Sequence, residues 1–261
     1  MRRQKRKAAG RAAYMALVLT FLYLPLMMVV LFSFNPSKNA GVMTGFTLEW
    51  YKQLFSDAEI AATLRNSLRL AALSIGTAAV IGTLGAVALA RRKMRLQGLM
   101  EGVASLPVMV PEIVLGMSFL AAFSFVGLRL GLATMYLAHT TFCIPYIFLL
   151  VKSRLAAMDP QLEEAARDLG ARPARVFFTV TLPVVLPAVA AGMLMAFAMS
   201  LDDVIISYFV TGPGAQTLPL KVYSSLKVGV TPEINALCTV TLGVVLLAIL
   251  IAQRIRGVKS S

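Results

Sequence analysis

Residues 14–34, 70–90, 132–151 and 234–252 contain no Asp, Glu, Lys or Arg. Two further apolar runs are interrupted by acids alone, residues 102–126 by Glu112 and residues 184–210 by Asp202 and Asp203. A helix crosses the hydrocarbon core of a bilayer with roughly 20 apolar residues. The pattern therefore predicts six transmembrane helices, near residues 14–34, 68–90, 100–126, 132–152, 184–210 and 234–253, in one membrane domain covering 1–261. In the second, Gly76, Ala78, Gly82, Gly85 and Ala86 recur at intervals that let helices approach closely, and are read as packing.

The polar stretches between these runs carry their own signals. Thr47 precedes an amphipathic segment ending near Phe55, with Trp50 and Tyr51 suited to a membrane interface, which predicts a short surface helix. Residues 211–214, Thr-Gly-Pro-Gly, form a turn; residues 219–228 suit a short helix, and Thr231-Pro232-Glu233 cap the last span.

The most informative break is the loop 153–183. Within it Asp159 is a good N-cap, Pro160 suits the first helical position, and Glu163 and Glu164 fall where a helix N-terminus favours negative charge. Gly170 is placed to end that helix in a left-handed conformation, and Pro173 opens a second short helix running toward Leu182 and Pro183. Leu162, Ala165, Ala166, Leu169, Val176, Phe177 and Phe178 give this element apolar surface that needs a partner.

Composition agrees with a membrane protein: of 261 residues, 58% are hydrophobic and 14% charged. A net charge of +13 raises the question of nucleic acid, but the distribution of that charge answers it differently. Six basic residues lie between Arg2 and Arg11, four at 91–95, five at 152–175 and three at 254–259, so 18 of the 25 fall on one side of an alternating six-span chain. The positive-inside rule makes that side cytoplasmic, with both termini inside. The basic start and first apolar run resemble a signal peptide, yet the run is too long and no small-x-small site precedes Asn35-Pro36, so an uncleaved span is expected.

Candidate chemistry is sparse. No segment matches G-x-x-x-x-G-K-[ST], so the chain is not expected to bind ATP through a P-loop, and no cofactor, metal or enzymatic activity is expected. The single histidine, His139, reads as a satisfied intramembrane residue, and Cys143 and Cys238 as small core residues. The intramembrane acids cost about 2.5–3.5 kcal/mol each at mid-helix on insertion scales and need partners or water. Gly192, Ala196, Ser200, Asp203 and Ser207 form one small, polar stripe, which places Asp203 on a pathway wall, whereas Asp202 falls with Met199 and Ile206. Glu112 follows Pro107 and Pro111, each of which frees backbone carbonyls that suit a cation in a broken membrane helix. Tyr208 could add a cation–π contact. The alternative stays open at this point: the acids could instead cap helices or pair with Arg65, Arg69 or another subunit.

Glu164-Ala165-Ala166, Gly170 after three residues, then Val180, Leu182 and Pro183 resemble the EAA signature of permease subunits of binding-protein-dependent ABC importers. Val180 stands where the signature commonly has Ile. Beyond that loop, Phe32 to Asn35, Pro107 to Glu112, His139 to Cys143, Ser200 to Val204, Phe209 to Pro213 and Val230 to Ala236 are similar to the second permease subunit of polyamine (spermidine/putrescine) importers, which often has Asp at position 112. The resemblance implies an all-α, type I (MetI-like) permease in a bacterial inner membrane. It implies a heterodimeric pore with a sister permease, two ATP-binding subunits that hold the ATP, and a solute-binding protein outside. It assigns Glu164, Ala165, Ala166, Gly170, Leu182 and Pro183 to coupling with the ATPase, and makes Glu112, Asp202, Asp203, Ser200, Ser207 and Tyr208 candidates for a path carrying putrescine or spermidine. A permease for another solute, such as an amino acid, sugar or anion, and an ion-coupled carrier or cation channel are the competing readings.

Overall fold

The structure is a computed structural model that describes residues 2–37, 42–91, 95 and 97–258, with side chains described at 10–11, 14–37, 42–91, 95 and 97–247. The basic runs before Gly10, at Arg92 and Lys93, and at 254–259 lie outside the residues whose side chains are described. All regular elements among the described residues are helices. They divide into two compact units, Met1–Ala61 with Val222–Ser261, and Ala62–Lys221.

In the first unit, α1 (Arg2–Phe32) contains the apolar span Tyr14–Phe32 and carries Pro25 inside it. A buried asparagine organises the chain that follows. Asn35 Nδ2 donates to the Val42 carbonyl at 2.9 Å, Oδ1 accepts from Thr44 N–H at 3.0 Å, and its carbonyl accepts from Trp50 Nε1 at 2.8 Å. Phe34 stacks on Phe46 with centroids 4.9 Å apart, and Ser33 Oγ meets Tyr51 OH at 2.6 Å. These contacts seat the expected amphipathic helix, α2 (Glu49–Ser56), whose single fully buried residue is Leu54. The last helix of the chain, α12 (Pro232–Val258), packs on α1 and α2.

The second unit begins within α3 (Ala58–Arg91) and continues through α4 (Gln97–Met109), α5 (Glu112–Phe125), α6 (Leu132–Ala156), α7 (Gln161–Asp168), α8 (Pro173–Val176), α9 (Leu182–Asp202), α10 (Ile205–Val210) and the start of α11 (Leu218–Val228). Its axis is α6, on which Met135, Ala138, Cys143, Ile147 and Val151 are fully enclosed. Two glycines bring the neighbouring helices against it. A Cβ on Gly82 of α3 would lie 3.1 Å from the Ile144 carbonyl, and one on Gly192 of α9 would lie 2.8 Å from Ile147 Cα. Small residues on two helices thus clasp one turn of a third, where close packing substitutes for the absent hydrophobic force between helices in lipid.

Three expectations about spans are corrected by this architecture. Residues 100–126 are not one straight helix: α4 and α5 meet at 111°. Proline lacks the N–H that would continue the ladder and forces the residue before it toward extended backbone, so Pro111, with ψ at 136°, ends one helix and starts the next. Residues 184–210 break at Asp203, which is extended, before α10 resumes. Finally, the second short helix of the insert does not stop at Pro183. It runs from α8 through a π-helical turn, Phe177–Thr181, into α9 without a break, and Leu182 N–H reaches back to the Phe177 carbonyl. Among the described residues four helices are long and apolar enough to cross a membrane, or five if the bent pair counts as one span, and the described apolar part of α12 is the shorter run Pro232–Leu247.

Candidate functional site

Two places in the second unit concentrate polar groups, and the first is the insert after α6. Asp159 Oδ1 accepts the Gln161 N–H at 3.0 Å, so the aspartate caps α7 as its side chain permits. At the other end Gly170 has φ of 80°, a conformation that costs a residue with a Cβ roughly 1–2 kcal/mol. Its N–H donates to the Arg167 carbonyl at 2.8 Å and the Ala171 N–H to the Ala166 carbonyl at 3.1 Å, the paired reach-back of a Schellman turn. Arg172 is then extended ahead of Pro173, and α8 leads into the π turn.

Part of the exposed surface of this capped element is apolar. Leu169 is 90% exposed, Leu162 and Phe178 are also open, and Glu164 and Ala165 lie on the same accessible surface. Ala166 and Leu182 are half-buried, and Pro183 is exposed. The inward contact is made by Glu163. Its Oε1 accepts from Arg91 Nη2 at 2.6 Å and from Thr181 Oγ1 at 2.6 Å, its Oε2 accepts from Arg167 Nη2 at 3.3 Å, and Arg91 also donates to Thr181. Burial is the largest single influence on the Glu163 carboxyl and pushes its pKa up. The hydrogen bonds from Arg91 and Thr181, with the positive charges of Arg91 and Arg167, together outweigh it and hold the group below the usual carboxylate value.

The second place is the break between α9 and α10. Asp203 is 7% exposed and caps α10: Oδ1 accepts from Ile206 N–H at 3.1 Å, and Oδ2 accepts from Ser207 N–H at 2.8 Å and Ser207 Oγ at 2.7 Å. His139 of α6 closes the group. Its Nε2 lies 3.0 Å from Ser207 Oγ and 3.3 Å from Asp203 Oδ2, and its Nδ1 is 2.9 Å from Ser200 Oγ. Because the single Ser207 proton is directed at Asp203, Nε2 is the donor toward them. The aspartate therefore satisfies two helix N–H groups, a hydroxyl and an imidazole, all away from solvent. Among the described residues no cluster of three or more His, Cys, Asp or Glu side chains could hold a metal ion.

The stripe expected to line a path, Gly192, Ala196, Ser200, Asp203 and Ser207, is buried against α6, with Cys143 Sγ on the Ala196 carbonyl at 3.7 Å. Asp202, the last residue of α9, is exposed instead. So are Glu112, the first residue of α5, and Tyr208, which stands 54% exposed and edge-on to Phe209. Phe209 fits against Gly116 of α5, where an added Cβ would come within 2.6 Å of its ring, so α5 and α10 pack directly. Sequence reasoning missed the roles of Arg91, Glu163 and Thr181, and the pairing of His139 with Asp203. Nothing in linear spacing announces contacts 72 or 64 residues apart; the one local hint was Arg167 four residues after Glu163.

Comparison with known proteins bears on the family and the fold. Residues 78–258 match the family described as the binding-protein-dependent transport system inner membrane component. The chain is 42% identical over 246 residues to the putrescine transport system permease protein PotI of Escherichia coli K12, covering 92% of this chain and 88% of the relative. It is 39% identical over 245 residues to the spermidine/putrescine transport system permease protein PotC of the same strain, covering 94% and 93%. A chain of a bacterial ABC transporter for import of the acidic polysaccharide alginate superposes with a TM-score of 0.76 at 14% identity, over 97% of this chain and 98% of that one. A chain of the MetNI methionine transporter does so at 0.60 and 21%, over 75% and 94%, so in both the fold is what is shared.

Proposed function

The chain belongs to the binding-protein-dependent transport system inner membrane components, and on that premise we propose that it forms half of a translocation pore for putrescine or spermidine. As a permease subunit of an ABC transporter it is a channel component, not an enzyme. In the proposed assembly a sister permease completes the pore, two ATP-binding subunits hold and hydrolyse the ATP, and a solute-binding protein delivers cargo from outside. Six spans with both termini in the cytoplasm are part of the same proposal, supported by the one-sided distribution of Lys and Arg.

The observation that carries the reading is the capped α7 with its left-handed Gly170 and its open face of Leu162, Ala165 and Leu169. A short capped helix that presents apolar surface beside Glu164, and leads through one tight turn into α8, which continues without a break into α9, is suited to dock on a separate subunit and be pushed by it. Docking by Glu164, Ala165, Ala166, Gly170, Leu182 and Pro183 is assigned on that basis. Cationic cargo is supported by the names of the relatives and by the exposed Glu112, Asp202 and Tyr208. We place those three on the path wall, with Asp203, Ser200 and Ser207 behind them as support. Reconstitution tests the reading: vesicles holding this chain, its sister permease, the ATPase and the binding protein take up radiolabelled putrescine or spermidine when ATP is supplied, and the chain alone takes up none. Uptake by the chain alone would establish an ion-coupled carrier or channel instead, and uptake of only an amino acid, sugar or anion would establish a permease for that solute.

A further inference from the structure

We propose that Arg91, Glu163 and Thr181 form a latch through which force on α7 reaches two membrane spans at once; this rests on the reading that α7 docks on an ATPase. Along the chain, α7 is joined to α9 through residues 169–181, a connection that contains the left-handed turn at Gly170 and extended Arg172 ahead of α8 and the π turn. Such a connection can pivot. Glu163 removes that freedom, because one carboxylate oxygen holds the last residue of α3 and the last residue of the π turn, both at 2.6 Å. Thr181 is wholly enclosed, and Arg91 reaches it as well as Glu163, so the three groups close a ring. Charge-assisted hydrogen bonds of this kind are short, directional and roughly twice as strong as neutral ones.

The position of the ring explains why a latch is needed. The exposed surface of α7 meets the partner, while α3 and α9 are the two helices that clasp α6 through Gly82 and Gly192. A displacement of α7 carried through Glu163 therefore moves both sides of the clasp together. The π turn lies between latch and span, and its wider backbone ring offers a place where α9 can rewind without unfolding. In this role Arg91, Glu163 and Thr181 are positioning residues, acting through α3 and α9.

The test uses the assembled complex with Cys143→Ala, Cys238→Ala and Asp202→Cys, so that a water-soluble maleimide reports motion at the exposed end of α9 without requiring any cargo. With the latch intact, adding ATP changes the labelling rate at position 202. Glu163→Ala and Arg91→Ala are expected to keep ATP hydrolysis while that change shrinks by about tenfold, within the usual range for coupling between distant sites. The reciprocal exchange Glu163→Arg with Arg91→Glu restores most of it. An undiminished ATP-dependent change in the single variants, or a loss that the exchange does not restore, overturns the latch. Capture of the ATPase is followed throughout. A parent chain that captures none overturns the docking reading and the latch with it, whereas normal capture with an undiminished change in Glu163→Ala overturns the latch alone. If Glu163→Ala fails to assemble, Thr181→Val, which keeps the shape and removes the hydroxyl, gives the same readout.

Discussion

The groups around Asp203 and around Glu163 are built from similar parts: one carboxylate, a cluster of donors, and three helical segments brought together. Their surroundings differ. Asp203 lies at a helix break inside the packed unit, its side chain 3% exposed, and its donors are His139 of α6 and Ile206 and Ser207 of α10. Glu163 lies on the exposed helix α7, its side chain 14% exposed, with an arginine partner that is 26% exposed. In the low-dielectric interior an abandoned donor or charge finds no water, so the first group is costly to open and fixes one backbone path. Near the surface water can replace part of a lost partner, so the second group is less costly to open. The same chemistry is costlier to open in one place than in the other.

Asp203→Ala should have the largest effect, because it strands His139 and the N–H groups of Ile206 and Ser207. We expect a loss of about 3–5 kcal/mol, as for breaking a buried pair, read as a large drop in the melting temperature of the detergent-solubilised protein. An unchanged melting temperature would show that the break at Asp203 is not held by its carboxylate. Gly192→Ala should cost about 1–3 kcal/mol in the same assay, since its Cβ meets the backbone of Ile147 and that turn of α6 cannot yield as a side chain could.

Gly170→Val probes the exposed partner of the comparison. It should cost only about 1–2 kcal/mol locally yet abolish most uptake, with the complex still assembled, because the angle between α7 and α8 is lost. Full uptake in that variant would count against the role of the turn. Asp202→Asn and Glu112→Gln sharpen the contrast further. Each should lower polyamine uptake by about two- to fivefold, the scale of one accessible charge, without moving the melting temperature, whereas Asp203→Asn should move both. Equal effects of Asp202→Asn and Asp203→Asn on stability would erase the distinction between exposed and buried acid.

The smallest effect concerns pH. The folded Glu163 carboxyl titrates below its ordinary value of 4.5, so the latch contributes fully above that value and its contribution is lost as pH falls through the lowered one. Hydrogen exchange at the α7 amides should accordingly accelerate, relative to the intrinsic rate, as pH drops below about 4.5, and Glu163→Gln should flatten that dependence. The same slope in both proteins would assign the acid sensitivity to another group.

Much of this protein could be read from residues close together in the chain. The apolar runs, the amphipathic helix around Trp50, the cap at Asp159, the left-handed Gly170 and the start at Pro173 are consequences of local rules, in which a residue's own side chain or missing N–H decides the backbone within one turn. The EAA signature lies in the same segment, so the shape of the insert was legible down to single residues. The course of the spans was less so. Pro111 signalled disruption but not a bend of 111°, and the break at Asp203 was invisible, because a buried aspartate can end a helix there only once His139 and α10 supply its partners. Helical periodicity placed Asp202 and Asp203 on different faces, but which face meets α6 depends on Gly192 pressing against Ile147, a contact between residues 45 positions apart. The sequence by itself determined which segments are apolar, where the insert turns and which family the turn resembles. The tertiary structure decided which acid is buried, which carboxylate ties α7 to the spans and which helix forms the axis. Those outcomes depend on distant side chains meeting in a medium where unpaired polar groups are costly, and no local pattern records that meeting.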